Sequence, residues 1–596
     1  MDKRVYEDLN FFITPDRFYI QPCNANEFVL IDRMTGDFSH HKDGSSKEQL
    51  PVGGYELRKI YGVLGMVRLI GGLHLVVVTN RDLVGVIRTE PIWRLSGVDI
   101  IALLPSLTHL TEEQKFQHEV YLSMMGQVLN TPCFYFAYGY DLTNSLQRKE
   151  HGGSGDGAGD GFNAGLFSRS DKRFVWNGAL LGNCPQLHCY LLPIIHGYVA
   201  IHDVRMHAQT LTWALISRRS VKYAGTRLFC RGINADGDVA NYVETEQLIV
   251  TDTDRVSFVQ TRGSIPLFWQ QTPNLQYKPR PQLLTGRDHL TACSRHFDDQ
   301  CRRYGLQVLI NLIDHKGAED VLEKAYDATV STLANPKLTY VSFDFHKECR
   351  KMRYDRLSLL IDRIASQQDD FGVFHVGNDG KVYSVQQGVF RTNCIDCLDR
   401  TNVVQSLIAK RSLEQSLVKL GLFRAGEKHI DPNSLFESVF KAVWANNADL
   451  ISTQYSGTGA LKTDFTRTGK RTFMGLLRDG FNSMKRYCMN NFTDGRRQDS
   501  IELFLGTYRV REGEGLDFPS PLTETDKSVE FRKRSILATV LVKIVMLYLI
   551  VLYPSEYDMK TGLMLMAWCM MAGFTYRYVA KHRMDFVDFP KLLPKK

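Results

Sequence analysis

The sequence lacks a strong excess of one charge, an apolar run at its N-terminus and an internal repeat. Its 596 residues carry a formal net charge of +8, which is too small an excess to indicate nucleic-acid binding but suits a membrane surface or an anionic substrate. Residues Met1 to Asp8 do not form the apolar core of a secretion signal, so we expect the bulk of the chain to lie in the cytosol.

Cysteines are also few for a chain of this length. The 12 cysteines do not have the close spacing of a small disulfide-linked scaffold, which favours free thiols in a reducing compartment. Apolar residues make up 44% of the chain and charged residues 23%, as in folded proteins rather than disordered ones. Because one hydrophobic core rarely serves so long a chain, two or more soluble domains are expected.

Residues 1–180 are predicted to form a β-rich subdomain. Runs rich in β-branched residues at 28–31 and 73–79 indicate strands, and Glu112 to Leu129 has helical periodicity. The glycine-rich stretch near 152–161 cannot form a core, so we expect a flexible surface insertion there. A nucleotide-binding loop is disfavoured, because no apolar strand leads into these glycines.

Residues 181–511 are predicted to form an α/β domain. Apolar runs at 306–313 and 340–345 indicate buried strands, and Tyr354 to Ser366 has the pattern of an amphipathic helix. Residues 512–534 are rich in Gly, Pro, Asp, Glu and Thr, which predicts a linker after this domain.

Two apolar segments near the C-terminus predict a transmembrane hairpin over residues 535–578. Ser535 to Tyr553 is apolar apart from Lys543, and nineteen residues of helix span about 28 Å, close to the hydrocarbon thickness. A shorter apolar stretch runs from Gly562 to Tyr578. Basic residues flank both outer ends, so both ends and the basic tail at 579–596 are expected in the cytosol. A buried helical pair in a soluble core is the alternative.

The loop Cys394-Ile395-Asp396-Cys397-Leu398-Asp399-Arg400 carries the clearest chemical pattern. A short apolar stretch precedes it, and the apolar residues that follow share one helical face, which predicts strand, loop and helix. A thiol at its ordinary pKa is mostly protonated at neutral pH. Helix N-terminal amides and a neighbouring guanidinium favour the thiolate, and the same groups bind phosphate oxygens. The pattern therefore predicts phosphoryl transfer by a cysteine.

This chemistry gives the residues of the loop expected roles. Cys394 is the candidate nucleophile, and the phosphocysteine that it forms is hydrolysed by water. The leaving alcohol needs a proton, and Asp396 and Asp399 both stay open as the general acid. Thr401 is placed to hydrogen-bond the sulfur. The candidate phosphate-binding residues are Arg400, as a bidentate ligand, together with Ile395, Cys397, Leu398 and Thr401.

Two other interpretations of this cysteine remain open. Cys394 and Cys397 form a Cys-x2-Cys pair, which is also a pattern for a zinc site or a redox disulfide. Zinc needs two further ligands at similar spacing, and the sequence has no second Cys-x2-Cys. The remaining interpretation is a buried structural cysteine.

The segment from Arg391 to Asn402, RTNCIDCLDRTN, resembles the signature of the Sac-domain phosphoinositide phosphatases. The similarity covers about Tyr6 to Arg511, and with the predicted hairpin it extends to the integral-membrane members of that family. It implies a β-rich N-terminal Sac subdomain followed by an α/β catalytic domain. Further blocks similar to the family lie at 217–220, 224–227, 231–232, 238–247, 260–266, 343–346, 444–449 and 454–462.

The resemblance also implies an activity and a setting. It implies hydrolysis of phosphatidylinositol 4-phosphate, with the 3-phosphate as an additional substrate. Cys394 is the implied nucleophile and Arg400 the phosphate ligand, Asp396 and Asp399 both remain open as the acid, and no metal or cofactor is required. The expected partners are the lipid, the membrane and trafficking or contact-site proteins. The expected location is the endoplasmic reticulum and Golgi membranes, with the catalytic domain in the cytosol.

The segment Lys462 to Arg511 is rich in Lys and Arg. A cationic face attracts anionic lipid, but an ordinary solvated surface has the same composition. Both interpretations stay open, because only the folded arrangement decides which cations share a face.

Overall fold

The computed structural model describes residues 4–42, 48–150, 165–182, 187, 189–207, 209–350, 353–424, 426–461, 463–468, 472–523, 527–552 and 559–593. The predicted glycine-rich insertion near 152–161 lies outside these residues.

The strands of the described residues are, in chain order, β1 (Leu9–Ile13), β2 (Arg17–Pro22), β3 (Glu27–Asp32), β4 (Phe38–Lys42), β5 (Glu56–Ile60), β6 (Val63–Leu69), β7 (Gly72–Ile87), β8 (Glu90–Ala102), β9 (Phe134–Phe136), β10 (Ile195–Met206), β11 (Gln209–Arg219), β12 (Val243–Val250), β13 (Asp254–Arg262), β14 (Trp269–Gln270), β15 (Gln282–Leu283), β16 (Leu306–Asn311), β17 (Leu338–Ser342), β18 (Phe374–Gly377), β19 (Val382–Ser384) and β20 (Gly388–Asn393). The α-helices are α1 (Glu112–Leu129), α2 (Leu146–Glu150), α3 (Leu166–Arg169), α4 (Gly178–Leu181), α5 (His289–Tyr304), α6 (Asp320–Leu333), α7 (Phe345–Glu348), α8 (Leu357–Phe371), α9 (Asp399–Lys419), α10 (Leu435–Ser456), α11 (Thr463–Thr468), α12 (Phe473–Phe492), α13 (Asp494–Phe504), α14 (Lys527–Leu552) and α15 (Met559–Lys581).

The N-terminal strands form an antiparallel sheet in the order β4-β3-β2-β1-β5. The strands predicted at 28–31 and 73–79 are confirmed as parts of β3 and β7, and the helix predicted from Glu112 to Leu129 is confirmed as α1. Thr111 caps α1, because its side chain accepts from the amide of Gln114 while the Gln114 side chain accepts from the Thr111 amide.

A second, larger sheet runs in the order β17-β16-β20-β13-β12-β11-β10-β9-β8-β7-β6. Its strands are antiparallel from β6 to β13, and β13, β20, β16 and β17 are then parallel. Because β9 pairs with β10, this sheet is continuous across residue 180, where the sequence predicts a domain boundary. The parallel part confirms the predicted α/β character of the second half.

Helices cover both faces of the parallel strands. Val308 and Ile310 of β16 lie in one core with α8 and α9, whereas Leu309 between them lies in another core with α5 and α6. This alternation follows from the two-residue period of a strand. The apolar run that predicts a strand over 306–313 is therefore a strand buried on both faces.

The segment predicted as a linker at 512–534 is ordered at both ends, by packing at its start and by a helix at its end. Glu514 is 2% exposed and accepts a hydrogen bond of 2.6 Å from the hydroxyl of Tyr121 on α1. At the other end, α14 already begins at Lys527. The buried carboxylate needs a donor, which fixes the first part of this segment against α1.

The described part of the basic tail predicted over 579–596 also packs against the body. Asp499 of α13 accepts the backbone amides of Lys591 and Leu592, each at 2.9 Å. The amide of Asp588 donates to the carbonyl of Asn491 at 2.8 Å. The helical pair α14–α15 is consequently attached to the same body at both of its ends.

Helices α14 and α15 pack against each other through the charged residue in the first apolar run. Lys543 donates to the carbonyl of Met571 at 2.6 Å and to the hydroxyl of Thr575, and the indole of Trp568 donates to the Lys543 carbonyl at 2.8 Å. Within the part of the chain that the structure describes, no helix combines the length and apolar character needed to cross a membrane.

Candidate active site

The cysteine loop lies at the carboxyl ends of the parallel strands. β20 ends at Asn393, the loop follows, and α9 begins at Asp399, which confirms the predicted order of strand, loop and helix. Asn393 fixes the end of β20 through two hydrogen bonds. Its side-chain amide donates to the side-chain oxygen of Asn311 in β16 at 2.6 Å, and its backbone carbonyl accepts from the amide of Leu312 at 2.9 Å. Ligands of α/β proteins bind at this edge of the sheet.

A cavity of about 310 Å³ opens above the loop. Cys394, 3% exposed, lies in its wall together with Asp396, Asp399 and Arg400. The structure thus brings the four predicted catalytic residues to one cavity. The rest of the wall includes Arg227, Tyr277, Lys278, His346, Asn402, Leu461, Arg486 and Tyr487.

Neighbouring side chains bind the carbonyls of the loop and leave its amides unused. Arg231 donates to the carbonyl of Ile395 at 3.0 Å, and Asn241 donates to the carbonyl of Asp396 at 3.2 Å. The backbone amides of residues 395–401 donate to no other residue in the described ranges. Free amides next to a helix N-terminus are the donors that phosphate oxygens require.

Arg400 is held by acidic residues that follow β16. Its guanidinium contacts the carboxylate of Glu319 at 2.9 and 3.0 Å and donates to the carbonyl of Leu312 at 2.9 Å. Burial alone would lower the pKa of Arg400, but negative charge on Cys394 and Glu319 outweighs it and holds the pKa above its ordinary value. The cation of Arg400 is therefore permanent.

Asp396 is an ion-pair partner of two arginines. Arg227 donates to both of its oxygens at 2.9 and 2.8 Å, and Arg231 donates to one of them at 2.7 Å. Burial acts to raise the pKa of Asp396, but the charges of Arg227 and Arg231 dominate and hold it far below its ordinary value. This environment strongly favours the ionised form of Asp396.

Asp399 has a different environment, although it lies three residues further along. One oxygen accepts the backbone amide of Leu461 at 2.9 Å. Burial raises the pKa of Asp399 above its ordinary value, and Arg486 and the Leu461 amide oppose this only in part. Of the two aspartates that the sequence leaves open, Asp399 is the one whose environment favours the protonated acid.

The second cysteine of the loop faces away from the cavity. The thiol of Cys397 donates to the carbonyl of Gly263 at 2.9 Å and lies 3.3 Å from the carbonyl of Cys394. Burial raises the pKa of Cys397 to about 12. Cys394 and Cys397 are both free thiols, and the described residues contain no cluster of His, Cys, Asp and Glu that suits a metal ion.

The remaining predicted phosphate-binding residues offer different groups. Ile395 packs against the core formed with α5 and α6, and Leu398 packs against Val243 and Tyr455, so the polar group that each offers to an anion is its backbone amide. Thr401 is fully buried, and its hydroxyl has no hydrogen-bond partner among the described residues.

A buried arginine lies behind the loop. Arg262, at the end of β13, has 0% exposure. Its Nη2 lies 3.4 Å from Asn402, whereas Nε and Nη1 have no partner among the described residues. Burial lowers the pKa of Arg262 to about 10, while electrostatic interaction with the cysteines of the loop opposes that shift. Arg262 is thus a buried basic residue close to the two cysteines.

The sequence does not assign several residues of the site to their partners. Glu319, the main partner of Arg400, lies 81 residues away in the chain and belongs to no motif. Arg227 and Arg231 stand in the blocks that resemble the family, but nothing local assigns them to Asp396. Arg486 belongs to the cationic segment at 462–511, whose composition alone does not distinguish it from its neighbours.

Comparisons with known proteins show the family of the chain. Residues 61–350 match the family described as SacI homology domain. The chain is 48% identical to Phosphatidylinositol-3-phosphatase SAC1 of Drosophila melanogaster, covering 100% of this chain and 99% of that protein. It is 42% identical to Phosphatidylinositol-3-phosphatase SAC1-A of Danio rerio, covering 99% of each. It is 36% identical to Phosphatidylinositol-3-phosphatase SAC1 of Saccharomyces cerevisiae, covering 92% of this chain and 87% of that protein.

Proposed function

The chain belongs to the family of Sac-domain phosphoinositide phosphatases, and from this we propose that it hydrolyses the phosphomonoester of a phosphatidylinositol monophosphate with Cys394 as nucleophile. One observation carries the proposal. Cys394 lies in the wall of a cavity, beside unoccupied loop amides and the permanent cation of Arg400. Together these groups suit a phosphate ester as ligand and stabilise the charge that develops on its oxygens.

The proposed first step transfers the phosphoryl group to sulfur. The Cys394 thiolate forms a bond to phosphorus while the bond between phosphorus and the inositol oxygen breaks. Asp399 donates its proton to that oxygen, which leaves as the alcohol. Asp396 remains ionised and orders the loop through its arginines, so it is a positioning residue in this scheme.

The proposed second step releases phosphate. Water attacks the phosphorus of phosphocysteine, the carboxylate of Asp399 accepts its proton, and the S–P bond breaks to regenerate the thiolate. Arg400 and the loop amides hold the phosphate oxygens through both steps. The free hydroxyl of Thr401 supports the predicted hydrogen bond to the leaving sulfur.

Two positions on the inositol ring enter the proposal. The motif resemblance implies phosphatidylinositol 4-phosphate, and the similar proteins of fly, fish and yeast bear the name of a 3-phosphatase. A cavity of about 310 Å³ is roomy enough for an inositol ring, so we propose both monophosphates as substrates and the 4-phosphate as the preferred one.

The proposed setting is a membrane of the endoplasmic reticulum or Golgi, with α14 and α15 as a hairpin and the catalytic body in the cytosol. Both ends of the pair are attached to the body through α1 and α13, which supports a hairpin with its ends on one side. Large apolar side chains on both helices face outward, which suits hydrocarbon. They include Leu541, Val542, Ile544, Val545, Leu549, Leu563, Met564, Met566, Met570 and Phe574.

The test measures phosphate release from short-chain phosphatidylinositol 3-, 4- and 5-phosphates and from a phosphotyrosine peptide. Cys394→Ser should abolish release, because the hydroxyl is a far weaker nucleophile. Cys397→Ser is the matched variant in the same loop and should remain within about tenfold of wild type, since a hydroxyl also donates to the Gly263 carbonyl. Equal release by wild type and Cys394→Ser would refute the nucleophile, and preference for the peptide would refute the lipid substrate.

A further inference from the structure

Helix α12 presents its polar residues to the protein and its apolar residues to the outside. The residues that it buries are Arg486, Asn490 and Asn491. Six large apolar side chains in its first twelve residues are each more than half exposed, namely Phe473, Met474, Leu476, Leu477, Phe481 and Met484. A soluble surface helix has the opposite arrangement, with its apolar stripe toward the core. Contiguous exposed apolar surface of this kind marks an interaction site.

The same helix forms part of the wall of the active-site cavity. Ser483, Arg486, Tyr487 and Asn490 of α12 line it, so the helix that carries the exposed apolar stripe also borders the cavity. Tyr487 donates to the carbonyl of Leu275 at 2.9 Å. This contact fixes the loop that carries Tyr277 and Lys278 beside α12 at the edge of the cavity.

Positive charge flanks the apolar stripe. Arg478 and Lys485 are both exposed, and their spacing of seven residues puts them on the same side of the helix, at one margin of the stripe. Exposed Lys278 adds a third cation on the neighbouring loop. An apolar face bordered by cations is the composition of helices that lie in the headgroup region of an anionic bilayer.

We infer that the outer face of α12, from Phe473 to Met484, docks on an anionic lipid bilayer and holds the mouth of the active-site cavity at the headgroup layer. This inference rests on the proposed function, because a lipid substrate keeps its chains in the bilayer while its headgroup enters the cavity. Docking here deepens that function by giving the catalytic body its own contact with lipid, independent of α14 and α15.

The first experiment separates docking from chemistry. The full-length chain is reconstituted in phosphatidylcholine vesicles with phosphatidylserine and a long-chain phosphoinositide, and is also assayed on a soluble short-chain substrate. The double variant Leu477→Gln, Phe481→Gln should lose at least tenfold in turnover of the vesicle substrate and keep wild-type turnover of the soluble one. Leu435→Gln is the matched control, because Leu435 is 80% exposed and lies about 20 Å along α10 from the cavity residue Ala448.

The second experiment reports insertion without catalysis. A tryptophan at position 481 (Phe481→Trp) should be quenched by brominated-chain lipids beyond the quenching of wild type, whereas Leu435→Trp should not be. No added quenching of Phe481→Trp, or wild-type turnover of vesicle substrate by the double variant, would overturn the docking and point to a protein partner for this face. Failure of wild type on the soluble substrate would instead refute the proposed function, and the quenching would still decide the docking.

Discussion

Replacing each loop aspartate by asparagine distinguishes a proton donor from a positioning residue. Asp399→Asn removes the only ionisable proton of that side chain and preserves its size, and the Asn carbonyl still accepts the amide of Leu461. Asp396→Asn removes the charge that Arg227 and Arg231 share. The first change should act on proton transfer and the second on the order of the loop.

Asp399→Asn is expected to lower turnover, whereas Asp396→Asn is expected also to lower the free energy of unfolding. General acid catalysis contributes about 10²- to 10⁴-fold, so Asp399→Asn should lower turnover of a phosphoinositide by that factor and should affect stability little. Asp396 is 15% exposed, Arg227 18% and Arg231 2%. Removing one member of such a buried pair costs about 3–5 kcal/mol of stability, and this cost is independent of the leaving group.

The assay compares two leaving groups and one unfolding measurement. p-Nitrophenolate leaves without a proton, whereas the inositol alkoxide does not, so Asp399→Asn should retain most of its turnover of p-nitrophenyl phosphate. Asp396→Asn should lose turnover of both substrates by similar factors. Chemical denaturation should show the destabilisation in Asp396→Asn alone.

The pH dependence of stability gives an independent check. The folded pKa of Asp396 is lowered, so its stabilising contribution is complete above its unfolded pKa of about 4 and is lost as pH falls toward the folded value. The difference in unfolding free energy between wild type and Asp396→Asn should therefore be full at pH 7 and shrink below about pH 4. A selective loss on the poor leaving group in Asp396→Asn, with Asp399→Asn unaffected, would refute the assignment.

Three further substitutions test buried charged side chains. Arg262→Met removes a buried cation with two unpartnered N–H groups, so iodoacetamide should alkylate Cys394 at least threefold more slowly at pH 7 while thermal stability is retained; faster alkylation would contradict this. Arg486→Gln removes a charge that lowers the pKa of Asp399, so the pH above which turnover falls should rise by up to about one unit, with Arg486→Lys unshifted. Glu244 is buried in the sheet and pairs with Arg148 and with the fully buried Arg218. Glu244→Gln should therefore destabilise the fold by about 3–5 kcal/mol in denaturant, and an unchanged midpoint would contradict this.

The catalytic loop is predictable because its geometry is local. A strand, a loop with Cys394 and Arg400, and a helix follow one another within a few residues, and the amide donors come with the helix N-terminus. The same holds for α1 and β16, where periodicity and burial agree. Local sequence thus carries the candidate nucleophile and the candidate anion site.

The division of roles that we propose for the two aspartates is not predictable from the loop. Arg227, a partner of Asp396, precedes it by 169 residues in the chain. Leu461, whose amide binds Asp399, follows Asp399 by 62 residues. Only the folded chain brings the segment between β11 and β12, the segment after α10 and the loop after β20 together. Because a pKa depends on the surrounding charges and on burial, residues of identical type have different chemistry here.

The surface of α12 shows a similar limit. Its residues carry both cations and apolar side chains, so composition between 462 and 511 suits either a solvated face or a lipid surface. The two interpretations are distinguished by which residues of α12 are buried against the rest of the protein, and the buried ones are polar. The amphipathic pattern is visible in the sequence, but its direction relative to the core is a property of the tertiary structure.

Substrate charge strengthens the contrast between the two aspartates during the reaction. Asp399 begins α9, where the helix N-terminus favours its ionised form, yet burial still raises its pKa. A phosphate that binds the loop amides neutralises that helix terminus and adds negative charge beside Asp399, and both effects raise its pKa further. Asp396 keeps its two guanidinium partners and remains ionised. In the mechanism that we propose, the acid is therefore protonated most strongly when the ester is bound, which is when the leaving oxygen requires the proton.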